Sequence, residues 1–186
     1  MTGKERMQRI LRHEPVDRIG LYEHFWNDTY QAWQQQGHIA PGESYEDHFG
    51  FDMQEHWAFN LTADLDFKRQ VVAETHDTIT YLDGNGATLR RHKFHDTTPE
   101  HVDFQIKTRE DWGRIKPLLT PDPRRIDFEG YRRQRQAAAR AGRFFVWSGI
   151  NVFECIHPVT GHEHMLIGMV DDPDWVADMA QTYAQL

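Results

Sequence analysis

Three stretches gather side chains suited to acid–base or binding chemistry. The first is Tyr22, Glu23, His24, Trp26, Asn27 and Asp28; the second is Glu55, His56 and Trp57; the third is Trp147, Ser148, Asn151 and Glu154. Glu23 and His24 are the catalytic candidates, because a carboxylate beside an imidazole can orient a substrate or carry a proton near neutral pH. Trp26, His56, Trp57, Trp147, Ser148, Asn151 and Glu154 are the substrate-binding candidates. Indoles make apolar walls that strip water from a bound group, while a hydroxyl, an amide and a carboxylate fix its orientation. Plainer roles suit the same residues: Asn27 or Asp28 as a helix N-cap, Ser148–Gly149 as an ordinary turn.

Histidines invite a metal reading, and the spacing argues against it. His162 and His164 stand two apart, which on a helix turns them about 200° from each other, so they do not chelate together. His92, His95 and His101 are spread over a loop. Cys155 is the sole cysteine, so an internal disulfide and a zinc ribbon are both excluded. No metal site is assigned to this chain.

The elements that position these groups follow from the pattern. Phe144–Trp147 is an apolar run with the length of a strand buried on both faces, broken at Ser148–Gly149 before a helix-like segment. Such a strand suits a parallel α/β sheet, where loops at the carboxyl ends converge on one face. Residues 2–13 read as a helix with Thr2 as cap, Glu5 as capping-box partner, and Pro15 ending it. Residues 16–25 read as a first strand and residues 51–59 as a second. Between 67 and 94, short β-like runs flank Asp83–Gly84–Asn85–Gly86, a hairpin turn. Thr108 caps a helix bearing Glu110 and Asp111, a second helix spans 127–141 and stops at Gly142, and a last one begins at Pro173.

Composition sets the outer bounds. A net charge of −8 counts against a nucleic-acid surface, which needs clustered Lys and Arg. No stretch reaches the roughly 18 apolar residues of a membrane span. A lone cysteine fits a reducing cytoplasm.

In their order, these stretches resemble the uroporphyrinogen decarboxylase superfamily, which includes cobalamin-dependent methyltransferases. The opening TGKERMQRILRHEPVDRIG is the most specific similarity. DGNGATLRRHKF and HVDFQIKTREDW resemble a hairpin and the helix after it in the methyltransferase-like branch. VWSGINVFECIHPVTGHEHM and DDPDWVADMAQTY resemble the landmarks that follow. The resemblance implies an α/β fold, the N-terminal portion of a (β/α)8 TIM barrel with an inserted β-hairpin. About three barrel strands are counted here, against about 250 residues for a whole barrel, so the chain is expected to be incomplete, one part of a single barrel domain.

Two departures shape the expected chemistry. The decarboxylases follow strand one with an arginine-rich segment that grips their polycarboxylate substrate. This chain has YEHFWNDT there, where Glu23 and Asp28 would repel it. The aspartate of the second strand has Glu55 as its nearest neighbour, and the tyrosine after the turn glycine has His157; neither role carries over. The resemblance therefore implies methyl transfer between a small methylated substrate, or a methyl-corrinoid partner protein, and an acceptor. In that branch zinc is held by His and Cys ligands in the C-terminal half, outside these residues. The alternatives are decarboxylation of a porphyrinogen or simpler acid, and a non-catalytic half-barrel closed by a partner or by a second copy as a homodimer.

Overall fold

The computed structural model describes residues 1–186. In chain order the elements are α1 (Gly3–Leu11), α2 (Asn27–Gln35), α3 (Tyr45–His48) and β1 (Met53–Trp57), then β2 (Gln70–Glu74), β3 (Thr78–Leu82), β4 (Ala87–His92) and β5 (Glu100–Phe104). They continue with α4 (Arg109–Ile115), α5 (Phe128–Arg140), β6 (Phe144–Ser148), α6 (Val152–Asp171) and α7 (Pro173–Gln185). The fold is mixed α/β, with a two-stranded parallel sheet and a four-stranded antiparallel sheet, and neither closes into a barrel. No helix is long and apolar enough to cross a membrane. The chain forms two compact units, one of residues 1–59 with 126–149, the other of residues 60–125 with 150–186.

In the first unit β1 runs parallel to β6, with Met53 opposite Phe144 and Trp57 opposite Ser148. Because side chains alternate along a strand, Gln54, His56, Phe145 and Trp147 share one face, and Met53, Glu55, Trp57, Phe144, Val146 and Ser148 share the other. Helix α5 covers the first face. Gln54 donates to Gln134 at 2.6 Å, and the Tyr131 ring meets Phe145 edge-on at 5.3 Å. Contrary to the expectation of a strand buried on both faces, β6 is only half-buried and Trp147 is exposed, since β1 is the one strand it pairs with.

The expected first strand, residues 16–25, is not a strand. It is held by side chains in place of a ladder. The buried carboxylate of Asp52 accepts from the Leu21 amide at 2.8 Å and from the Arg18 guanidinium, and the Asp52 amide donates a single backbone bond to the Leu21 carbonyl at 2.9 Å. Arg6, buried in α1, donates to Asp17 at 2.7 and 2.8 Å and also to Asp52. Asp17 is held far below the usual carboxylate range by its bond from Arg6. Burial pushes Asp52 up, but Arg18, the Leu21 amide and Arg6 together bring it below its ordinary value. Arg6, Asp17, Arg18 and Asp52 therefore form an ion network that locks α1 and the following segment onto the start of β1. Gly3 belongs to the same junction, because a Cβ there would sit 2.7 Å from the Asp52 backbone. The capping box of α1 is as expected, with the Thr2 amide donating to Glu5 at 2.8 Å.

The expected hairpin is the centre of a larger sheet. Strands β2, β3, β4 and β5 form an antiparallel meander in the second unit, with 100–104 adding a fourth strand to what the sequence marks as merely extended. Its helices α4, α6 and α7 bury Trp112, Ile115, Ile156, Val159, Met165, Trp175 and Met179. Helix α6 breaks at Gly161, whose φ of 74° only glycine adopts cheaply. The Phe104 ring fills the space where a Cβ would be, 2.5 Å away. Arg125 is buried with carbonyl partners alone, donating to the backbone of Thr120, Asn60, Thr62, Ala63 and Leu118. One side chain thereby ties down two stretches of irregular backbone.

Candidate functional site

In the middle of β1, on the face of the β1–β6 pair turned away from α5, stands Glu55. Its two oxygens are taken by two hydroxyls from distant parts of the sequence: Tyr22 donates to Oε2 and Ser148 to Oε1. Strand register explains the meeting. Glu55 lies two residues before Trp57, which pairs with Ser148, so carboxylate and hydroxyl fall on one face. Tyr22 arrives from the segment that Asp52 anchors, braced by its ring against Phe51 at 6.0 Å.

The electrostatics of this cluster are those of a fixed anion among neutral donors. Burial raises the Glu55 carboxyl, yet hydrogen bonding from Ser148, Tyr22 and Trp57 outweighs it, with His24 adding a smaller pull, and the group sits below its ordinary value. The Tyr22 phenol moves far up, through burial first and its bond to Glu55 second. At neutral pH Glu55 is therefore ionised and Tyr22 protonated. Both hydroxyl protons are spent on the carboxylate, leaving the oxygens of Tyr22 and Ser148 as acceptors for a third group.

The sequence-derived candidates divide around this cluster. Trp57 and Ser148 belong to it. Glu23 and His24 lie on the adjoining loop in open solvent, their side chains 58% and 87% exposed and 3.8 Å apart. Trp26 is exposed and forms the N-cap of α2 without a side-chain cap bond, so neither Asn27 nor Asp28 caps that helix; both lie in its first turn. The loop is pinned by Phe25, whose ring packs among Trp33, Tyr45 and Phe49 at 5.2, 4.7 and 5.6 Å.

His56 and Trp147 lie on the opposite face, against α5. His56 Nε2 is 3.4 Å from Asp127 at the N-terminus of α5, over Gly130. Trp147 stacks on Phe59 at 4.8 Å and meets Tyr131 edge-on at 5.9 Å. Asn151 and Glu154 belong to the second unit and build the start of α6. Asn151 caps it by accepting from the Glu154 amide at 3.2 Å, and Glu154 stands 3.4 Å from His157 Nδ1.

Sequence reasoning named Tyr22 and Glu55 among polar clusters but left both out of the site. The available signal was a glutamate sharing the parity of Met53 and Trp57 in one strand candidate, with a serine at the end of the other.

No three His, Cys, Asp or Glu side chains converge as metal ligands. His157 and His162 stack at 4.4 Å with planes 14° apart. Cys155 is buried, and burial pushes its thiol up, away from nucleophilic chemistry. The chain matches no family model, no curated protein and no solved structure.

Proposed function

We propose that this chain contributes part of the substrate pocket of a barrel enzyme, built on the plan of the uroporphyrinogen decarboxylase superfamily. Within that class the reading is a methyltransferase: it moves a methyl group between a small methylated compound, or a methyl-corrinoid partner protein, and an acceptor. What carries the reading is the Tyr22–Glu55–Ser148 cluster, which reaches the carboxyl end of β6 in a parallel pair, the end where barrel enzymes keep their chemistry. An ionised glutamate with neutral partners is the opposite of an arginine grip, so a polycarboxylate is disfavoured there.

Each residue then has a task. Glu55 fixes the two hydroxyls, whose oxygens accept from the substrate. Trp57 supplies an apolar wall beside the methyl group. Glu23 and His24, on the solvent-facing loop, orient the substrate or pass a proton at its entrance. The β1–β6 pair with α5 covering one face supports the finer reading of a partial (β/α)8 barrel.

The test is a cobalamin-dependent methyl-transfer assay on the full-length protein with methoxy and methylamine donors, alongside Tyr22→Phe and Glu55→Gln. Turnover that drops in both variants supports the reading. No turnover with any donor, or loss of carboxyl groups from a porphyrinogen instead, overturns it.

A further inference from the structure

The second unit holds a cavity of about 530 Å³ with no part in the reading above. Its lining combines the apolar side chains of Phe67, Ile106, Ile115 and Leu118 with the acidic residues Asp64 and Asp83. The volume lies within the range of small-molecule sites, roughly 300–1,000 Å³.

The acidic side is pre-formed. It is built from the Asp83–Gly86 turn and the chain segment beside it. The Asp64 amide donates to the Gly84 carbonyl at 2.9 Å, and the Ala63 amide to Asn85 Oδ1 at 2.9 Å. Gly84 is pressed so close that a Cβ would lie 2.6 Å from the Asp64 carbonyl oxygen. Gly86, at φ 77°, passes its carbonyl to the Gln105 amide at 2.8 Å.

Each carboxylate is half used. Asp83 Oδ1 accepts from the Asn85 and Ala87 amides at 2.9 and 3.0 Å, and Asp64 Oδ1 accepts from the Asp66 amide at 2.9 Å. The Oδ2 atoms of both take no hydrogen bond from the protein, and neither residue has a cationic partner. Arg114, which also lines the cavity, is paired with Asp111. The cavity thus brings together apolar side chains and two aspartates that each have an oxygen unused by the protein, and its one lining cation, Arg114, is paired with Asp111.

We propose that this cavity is a binding site for a small organic amine, its ammonium group on Asp64 and Asp83 and its hydrocarbon body against Phe67, Ile106, Ile115 and Leu118. A charge-assisted hydrogen bond selects the ammonium, and the apolar wall selects a hydrocarbon body over a bare cation.

The test titrates the ¹⁵N-labelled chain with 2-phenylethylamine, neutral 2-phenylethanol and the anion 3-phenylpropanoate, reading the Gly84 and Gly86 amide shifts. The amine alone produces saturable shifts. Asp64→Asn, which keeps the oxygen that accepts from Asp66, weakens it about tenfold. Leu118→Ala, at the exposed rim, weakens the amine severalfold while the charge preference stays. Equal binding of the alcohol, an affinity indifferent to Asp64→Asn, displacement of the amine by Mg²⁺ or Ca²⁺, or no amine binding each overturns the proposal.

Discussion

Removing the two hydroxyls around Glu55 should reverse the sign of its pH dependence. In the wild-type chain burial opposes the charge, and bonds from Ser148, Tyr22 and Trp57 more than offset that, so the carboxyl is depressed. A depressed carboxyl stabilises the fold above its unfolded-state pKa, and the contribution is lost as pH falls through the folded value. A hydrogen bond to a charged group contributes about 1.5–3 kcal/mol. Tyr22→Phe and Ser148→Ala should each lower stability at pH 7 by about that amount. Because both act on one carboxylate, the double variant should depart from additivity.

In the double variant burial is opposed only by Trp57 and the smaller pull of His24, so the Glu55 pKa should rise above the ordinary glutamate value. The folded state then binds a proton more readily than the unfolded one, and stability should increase as pH falls through the ordinary carboxylate range. Carboxyl ¹³C titration of Glu55 reads the pKa, and urea unfolding at pH 4 and pH 7 reads the stability. Unchanged Glu55 titration in both single variants, with unchanged stability, would refute the assignment of this carboxylate as the organising group.

Three further outcomes are expected. Asp52→Asn leaves the buried Arg6 guanidinium without its buried counter-charge; urea unfolding should show a loss of about 3–5 kcal/mol, and a loss below about 1 would place the network's weight elsewhere. Gly161→Ala sets a side chain at φ 74° and into the Phe104 ring; thermal melts should show a cost of at least about 1–3 kcal/mol, and an unchanged midpoint would contradict the break in α6. His157 is held below its ordinary pKa by burial first, then by His162 and His101, with Glu154 opposing. Its neutral form is thus favoured by folding, and stability should fall as pH drops below the ordinary histidine value, levelling once the folded group also titrates. His157→Gln should flatten that part of the profile, and an identical slope in the variant would assign the effect to another histidine.

What this sequence determined alone is its local structure. Thr2 with Glu5, Thr108 with Asp111, and Asp127 with Gly130 are caps closed within three residues. Asp83–Gly86 is likewise closed by its own side chain and backbone. Such bonds depend on neighbours in the chain, so spacing reveals them. The parallel pairing of residues 53–57 with 144–148 was legible only as two separate strand candidates, residues 51–59 and the apolar run 144–147.

What the tertiary structure decided is which way those residues face. A strand turns each successive side chain to the other side, so His56 and Glu55, adjacent in sequence, serve opposite faces. That parity put His56 and Trp147 against α5 and gathered Tyr22, Glu55 and Ser148, up to 126 positions apart, into one cluster. Residues 16–25 have strand composition without strand pairing, because Asp52 and Arg18 satisfy that backbone locally with side chains. Hydrogen-bond partners tens of residues away are set by packing, and no periodicity in the sequence records them.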